Sequence, residues 1–188
     1  RFNAGVGGAV QSDGAVRTDA GLMTSDREAG AVCSMPGVEH AVSAARVVME
    51  ETPHVLVSGQ HAVDLAADFG VETGVDLWTD DQRSRWSDLD APDGSPREHL
   101  DWLDERFGGA PDDVDEDRTV DPGDHDTVGA VAFDGDAFAA ATSTGGRWLA
   151  LAGRVGDVPQ IGSGFYAAPA GAASATGAGE DIAKTTLT

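Results

Sequence analysis

Hydrophobic and polar positions alternate in three distinct ways along the chain, and the change of pattern divides it into three parts. In the first part, Ala41, Val42, Ala45, Val48 and Met49 recur at helical spacing between Pro36-Gly37 and Pro53, which predicts a helix over Glu39–Glu51. His54–Val57 reads as a short strand, and Ala62, Val63, Leu65, Ala66 and Phe69 predict a second helix stopped by Gly70. Upstream, Gly8–Gln11, Ala15–Asp19 and Ala29–Ser34 read as short strands, the first two joined at Asp13-Gly14. In the second part, Trp78, Trp86, Leu89, Leu100, Trp102, Leu103 and Phe107 predict two short helices docked by one face, followed by a mobile linker over about residues 108–126. The third part begins abruptly at Thr127. Thr127–Phe133 and Ala137–Thr142 flank Asp134-Gly135 as a hairpin, Ala172–Thr176 reads as another strand, and a helix can open from Gly177. Such alternation of strands and helices predicts an α/β fold, and 188 residues predict one domain.

Charge sharpens this picture. The formal net charge is -21, and residues 76–126 contribute 15 Asp and 3 Glu against 5 Arg. A field of that sign opposes nucleic acid and anionic membranes as partners. Among the 12 basic residues only Lys184 is a lysine, a bias that matches halophilic adaptation: abundant salt screens short carboxylates from one another while they hold water and hydrated cations. Cys33 is the single cysteine, which excludes an internal disulfide and a Cys-rich zinc site. Arg1–Val10 lacks a charged start followed by an apolar stretch, so the expected location is the cytoplasm.

Several motifs fail in context. Gly5-Val6-Gly7-Gly8 has neither a preceding strand nor the spaced third glycine of a dinucleotide loop. Asp113, Asp115 and Asp117 have calcium-loop spacing, but Arg118 stands where the turn needs glycine. His40, His54, His61, His99 and His125 form no HExxH pair, and no serine sits in a G-x-S-x-G elbow. The remaining signal is the junction His125-Asp126-Thr127-Val128-Gly129-Ala130-Val131, where an acidic segment meets an apolar strand. A cut before Thr127 gives its hydroxyl an α-amine as general base, with an ordinary pKa of about 7.7–8.0. Read from residues alone, the favoured reading of Thr127 is a plain strand threonine, since threonine is common in strands, and the nucleophile is the lesser alternative.

A resemblance adds to this reading. The junction, then Ala141-Thr142-Ser143-Thr144-Gly145-Gly146, Gly153-Arg154-Val155-Gly156-Asp157, Ile161-Gly162-Ser163-Gly164 and Ala175-Thr176-Gly177-Ala178-Gly179-Glu180, resemble in order and spacing the plant-type L-asparaginase and isoaspartyl peptidase family. Phe2-Asn3-Ala4-Gly5-Val6-Gly7, Asp19-Ala20, Ala29-Gly30-Ala31-Val32 and Glu51-Thr52-Pro53-His54-Val55-Leu56 resemble it too. The resemblance implies an N-terminal nucleophile hydrolase, a four-layer αββα sandwich, made as residues 1–126 and 127–188 by self-cleavage at Asp126–Thr127. It implies that Thr127 is the nucleophile, that Thr144 tunes it, and that Thr176 and Gly177 form the oxyanion hole and touch substrate. Arg154 and Asp157 are then the clamp for the α-carboxylate and α-ammonium, with Asn3 in support.

The same resemblance implies a small-molecule substrate, L-asparagine or a β-aspartyl dipeptide, no organic cofactor, and a homo-oligomer of processed units. In some members the carbonyls corresponding to Phe2, Ala4 and Val6 bind a structural sodium ion; a plain turn is the alternative. Met23-Thr24-Ser25 replaces the family's Met-Asp-Gly, and the family's flanking segments on both sides are absent, which gives the expectation of a partial domain. Two alternatives stay open: a glycosylasparaginase, in which aspartate usually precedes the nucleophile, and a non-catalytic remnant of the fold.

Overall fold

A computed structural model describes residues 3–107 and 125–188. Strands β1 (Arg17–Thr24) and β2 (Ala29–Pro36) are followed by α1 (Ala41–Glu51), β3 (Leu56–Ser58) and α2 (Gly59–Asp68). Helices α3 (Asp80–Ser87) and α4 (Pro96–Phe107) precede β4 (His125–Phe133), β5 (Phe138–Arg147), β6 (Phe165–Ala168), β7 (Gly171–Ser174) and α5 (Gly179–Thr185). Five strands form one sheet in the order β3-β2-β1-β5-β4, and β6 and β7 form a second, two-stranded sheet. Among the described strands only the β2–β3 pair is parallel; the connection between them is α1.

Successive side chains of a strand point to opposite faces, and at the centre of the large sheet, in β1 and β2, both faces are covered, whereas the edge strand β4 leaves Val128, Val131 and Phe133 exposed. Ala20 and Val32 face α1 and α2, where they meet Ala41, Ala44, Ala45, Val48, Ala62, Val63 and Ala66. Met23, Ala31 and Ala140 face the other way, onto Phe165 and Ala167 of β6. Gly21 allows this second contact, since a β-carbon there would stand 1.9 Å from the Phe165 ring. The described residues therefore stack as helices, large sheet and small sheet, a mixed α/β fold. None of their helices is long and apolar enough to cross a membrane.

The predicted helices form where the periodicity puts them. Helix α2 ends as foreseen: Gly70 has φ +80°, and Val71 N–H closes back on the Ala66 carbonyl at 3.0 Å. Helix α3 carries a capping box between Thr79 and Gln82. Trp78 and Trp86 dock edge-to-face over Val10, Val16 and Leu77, which explains how so acidic a segment stays attached.

Two expected strands differ from those observed, and one observed strand was not expected. Gly8–Gln11 makes only an isolated bridge, Val10 to Val16, and the chain reverses at once after it, where Gly14 N–H closes on the Gln11 carbonyl at 2.9 Å. The strand read as Ala15–Asp19 begins at Arg17 and runs on to Thr24; it is buried on both faces, so it lacks the alternation that marks a half-exposed strand. Strand β6, lying between Gly164 and Pro169, is too short for periodicity to find. The predicted linker and the Asp113, Asp115 and Asp117 cluster lie outside the described residues up to residue 124.

Candidate active site

The β4–β5 hairpin sets the register on which the site depends. At its turn, the Asp134 carboxylate accepts the Asp136 and Ala137 amides, both at 2.9 Å, and these bonds hold its carboxyl below the usual range. Gly135 supplies the positive φ of +106°. Counting back along the ladder, Thr127 falls opposite Thr144, and Thr127 Oγ1 donates to Thr144 Oγ1 at 3.3 Å. Thr144 is buried, and its Oγ1 also accepts the Gly146 amide at 3.1 Å.

Between His125 and Thr127 the ladder shifts register, so the Asp126–Thr127 peptide faces the pair Gly145-Gly146. Gly146 has φ +87°, and a β-carbon at Gly145 would stand 1.9 Å from the Asn3 carbonyl oxygen. Only glycine admits the N-terminal segment this close. Asn3 is itself buried, and its Nδ2 donates to the Gly146 carbonyl at 3.5 Å. Ser143 Oγ donates to the Ala4 carbonyl at 3.5 Å, and Val6 packs against the Val10, Val16 and Leu77 cluster. Gly8 N–H closes a turn on the Gly5 carbonyl at 3.0 Å. Phe2 lies outside the described residues.

The segment after β5 brings charge to the same place. It is pinned by Leu149 N–H on the Val10 carbonyl at 2.7 Å and by Ala152 N–H on Ser12 Oγ at 3.1 Å. Arg154 Nε then donates to Glu180 Oε1 at 2.7 Å. That bond is the main cause holding the Glu180 carboxyl below its ordinary value. Gly156 and Gly179 line the guanidinium: a β-carbon at either would come within 2.8 Å of an Arg154 Nη nitrogen. Asp157 is buried, its Oδ2 accepts no hydrogen bond from the described residues, and burial pushes its carboxyl up although Arg154 pulls the other way. Thr176 and Gly177 lie exposed between β7 and α5, with Gly177 at φ +150°.

One more carboxylate belongs here. Asp19 is the β1 partner of Thr144, so Asp19, Thr144 and Thr127 stand side by side on three adjacent strands. Opposite residues of a ladder share a face, and this face looks toward β6 and β7. Asp19 is 5% exposed, accepts the Ser34 amide at 2.7 Å, and feels both Arg154 and Asp157. Asp19 and Glu180 stand within the motifs of the resemblance, which implied no role for either. The available signal for Asp19 was a charge inside an apolar strand; nothing local tied Glu180 to Arg154, 26 residues away.

Residues 1–188 match the asparaginase family. The chain is 42% identical over 189 residues to the plant-type L-asparaginase of Pyrococcus abyssi, which covers 99% of the chain and 58% of that protein. It is 41% identical over 189 residues to the isoaspartyl peptidase of Salmonella typhimurium, covering 98% of the chain and 56% of the relative. With the isoaspartyl peptidase/L-asparaginase of Rattus norvegicus it shares 37% identity over 190 residues, 99% of the chain and 51% of the relative. The chain thus spans a little over half the length of these relatives. On a family match that runs from end to end, and on identities near 40% across almost all of its residues, the chain belongs to the asparaginase family.

Proposed function

We propose that this chain carries the self-cleavage junction and the substrate clamp of a threonine amidohydrolase that releases L-aspartate from L-asparagine or from β-aspartyl dipeptides. The observation that carries the reading is the Thr127–Thr144 hydroxyl pair, 3.3 Å apart, beside a strand peptide held against two glycines. In the first reaction Thr127 Oγ attacks the Asp126 carbonyl carbon, the C–N bond breaks, and the proton lost from Oγ ends on the new amine. Water then hydrolyses the ester. The freed amine serves as the base for the second reaction, in which Thr127 Oγ attacks the side-chain carbonyl of the substrate. Thr176 Oγ and the Gly177 amide stabilise the oxyanion, and water releases aspartate from the acyl-enzyme.

Recognition follows from charge. An amino-acid zwitterion needs a fixed cation and a fixed anion, and Arg154 and Asp157 supply them. Glu180 takes the Arg154 Nε, which leaves the two Nη groups for a carboxylate, and the unpartnered Asp157 Oδ2 suits an ammonium donor. Asn3 supports the strand end through Gly146. A sodium ion on the Phe2, Ala4 and Val6 carbonyls is part of the proposal only as a brace for this turn; the Ala4 carbonyl, which takes the Ser143 hydroxyl, keeps a second lone pair for it. The proposal further includes the full four-layer sandwich, a cytoplasmic setting at high salt, and a homo-oligomer of processed units.

Intact-mass spectrometry of the purified chain in high salt tests the reading. Conversion to pieces 1–126 and 127–188, abolished by Thr127→Ala, is the expected result; a permanently intact chain favours a non-catalytic remnant. Asp126 before Thr127 favours the glycosylasparaginase alternative, so aspartate release is compared for L-asparagine, β-aspartyl-leucine, α-aspartyl-leucine and a glycosylated asparagine. Cleavage of the glycosylated substrate alone moves the chain to that branch.

A further inference from the structure

Asp19 is the one acidic side chain described on the face it shares with Thr144 and Thr127. It is deeply buried and sits where β1 and β2 lose register. Two β2 residues, Cys33 and Ser34, stand against it, and Ser34 adopts φ +55°, a conformation that L side chains rarely take. The Ser34 amide is thereby turned onto Asp19 Oδ1 at 2.7 Å. Backbone strain of this kind gathers where a side chain must be held in one orientation.

No direct salt bridge to the Asp19 carboxylate is found among the described residues. The charged and titratable groups facing it are Arg154, which attracts it, Asp157, which repels it, and Cys33, whose thiol it helps to push up. A buried charge without a close counterion costs stability, and an amide or hydroxyl in its place would fold at least as well. Stability therefore gives no account of an acid at this position.

Resting on the threonine hydrolase reading above, we propose that Asp19 is a positioning residue that acts through Thr144, holding the proton of the Thr127 hydroxyl during self-cleavage and returning it to the departing amine. Thr127 Oγ–H passes its proton to Thr144 Oγ as Thr144 passes its own to the Asp19 carboxylate. Oγ bonds to the Asp126 carbonyl carbon, the Asp126–Thr127 C–N bond breaks, and the proton returns by the same route to the Thr127 nitrogen. Opposed β-carbons of a ladder stand about 5 Å apart, a gap that hydroxyl rotation or one water closes. The Asp19 carboxyl is pushed up to about 6, chiefly by burial, which suits a group that must take and give back a proton near neutrality.

Two measurements test this. The first is the rate of self-cleavage of the full chain, followed by intact mass from pH 4.5 to 8 for the parent, Asp19→Asn and Asp19→Glu. Asp19→Asn keeps an oxygen for the Ser34 amide, so a merely structural role leaves the pH profile in place. The expected result is a rate at least tenfold lower with the acid limb near pH 6 removed, and partial recovery in Asp19→Glu. Cleavage of Asp19→Asn at the parental rate and profile overturns the proposal. The second measurement does not depend on cleavage: in the Thr127→Ala chain, the carbon-13 shifts of Thr144 are followed through the same pH range. They should titrate together with the Asp19 carboxyl carbon and lose that titration in Asp19→Asn. Thr144 shifts that ignore Asp19 overturn the proposal, whereas a parent chain that stays whole while Thr144 follows Asp19 counts against the hydrolase reading alone.

Discussion

Arg154 and Glu180 join the segment after β5 to the first turn of α5 through a 2.7 Å bond between Nε and Oε1. This pairing uses the one guanidinium edge that a bidentate carboxylate does not need and so fixes the plane of the other. On the threonine hydrolase reading, Glu180→Gln should raise the KM for L-asparagine by up to about fivefold, in keeping with the small worth of a half-exposed ion pair, and leave kcat nearly unchanged. Steady-state kinetics on the processed enzyme check this. Arg154→Lys, which keeps the charge but loses the fork, should raise KM further.

On the same reading, Thr144→Val should act on the other parameter. It removes the hydroxyl that accepts from Thr127 and from the Gly146 amide while keeping the side-chain shape. Turnover should fall by about ten- to a hundredfold, the range for losing a hydrogen bond made to a reacting group, with KM little changed. A rise in KM at constant kcat would place Thr144 in substrate binding instead.

Stability carries a second signature of Asp19. Its carboxyl stands at about 6 in the folded chain against an ordinary 3.8, so the ionised form is disfavoured by folding. The folded chain is free of this penalty below the ordinary value, incurs it as pH rises from 3.8 to about 6, and bears it in full above. Asp19→Asn should therefore melt with the parent at pH 3.5 and above it at pH 7.5, the difference approaching about 3 kcal/mol. Thermal melts at constant high salt measure this. Equal melting temperatures at both pH values would contradict the assigned burial effect.

Folding should depend on salt. A net charge of -21 repels itself at low ionic strength, and a Debye length that shrinks from about 10 Å at 0.1 M to about 3 Å at 1 M removes most of that repulsion. Circular dichroism across a KCl series should show the native spectrum lost on dilution of salt; an unchanged spectrum would contradict halophilic adaptation.

Gly21→Ala tests the stacking of the two sheets. A β-carbon 1.9 Å from the Phe165 ring cannot be accommodated without parting β1 from β6, and a loss of about 1–3 kcal/mol is expected in denaturant titration.

Much of this architecture was legible in the chain. The α1 and α2 periodicities and the Asp134-Gly135 hairpin rest on local rules, and local structure obeys them, although β4 starts at His125, two residues before the expected start at Thr127. Within the candidate site, the motifs pointed to Thr127, Thr144, Arg154 and Asp157. What escaped was pairing. No local pattern tells that Asp19 will lie beside Thr144, because strand order puts β1 next to β5, over a hundred residues later in the chain. Nor does spacing reveal that Glu180 closes on Arg154, or that Ser34 turns its amide toward Asp19. Those relations arise only when distant segments meet.

The side-by-side placement of Asp19, Thr144 and Thr127 has one more consequence, for quality control. Strand side chains alternate between faces, so a slip of one residue in either ladder would turn one of the three toward α1 and α2. A molecule mispaired in that way could still be compact and hydrogen-bonded, yet its Thr127 hydroxyl would have lost its neighbours. Under the threonine hydrolase reading such a molecule could not cut itself, and the nucleophile would never be released. The cut then acts as a proofreading step, in which only chains that have paired their strands correctly become enzyme.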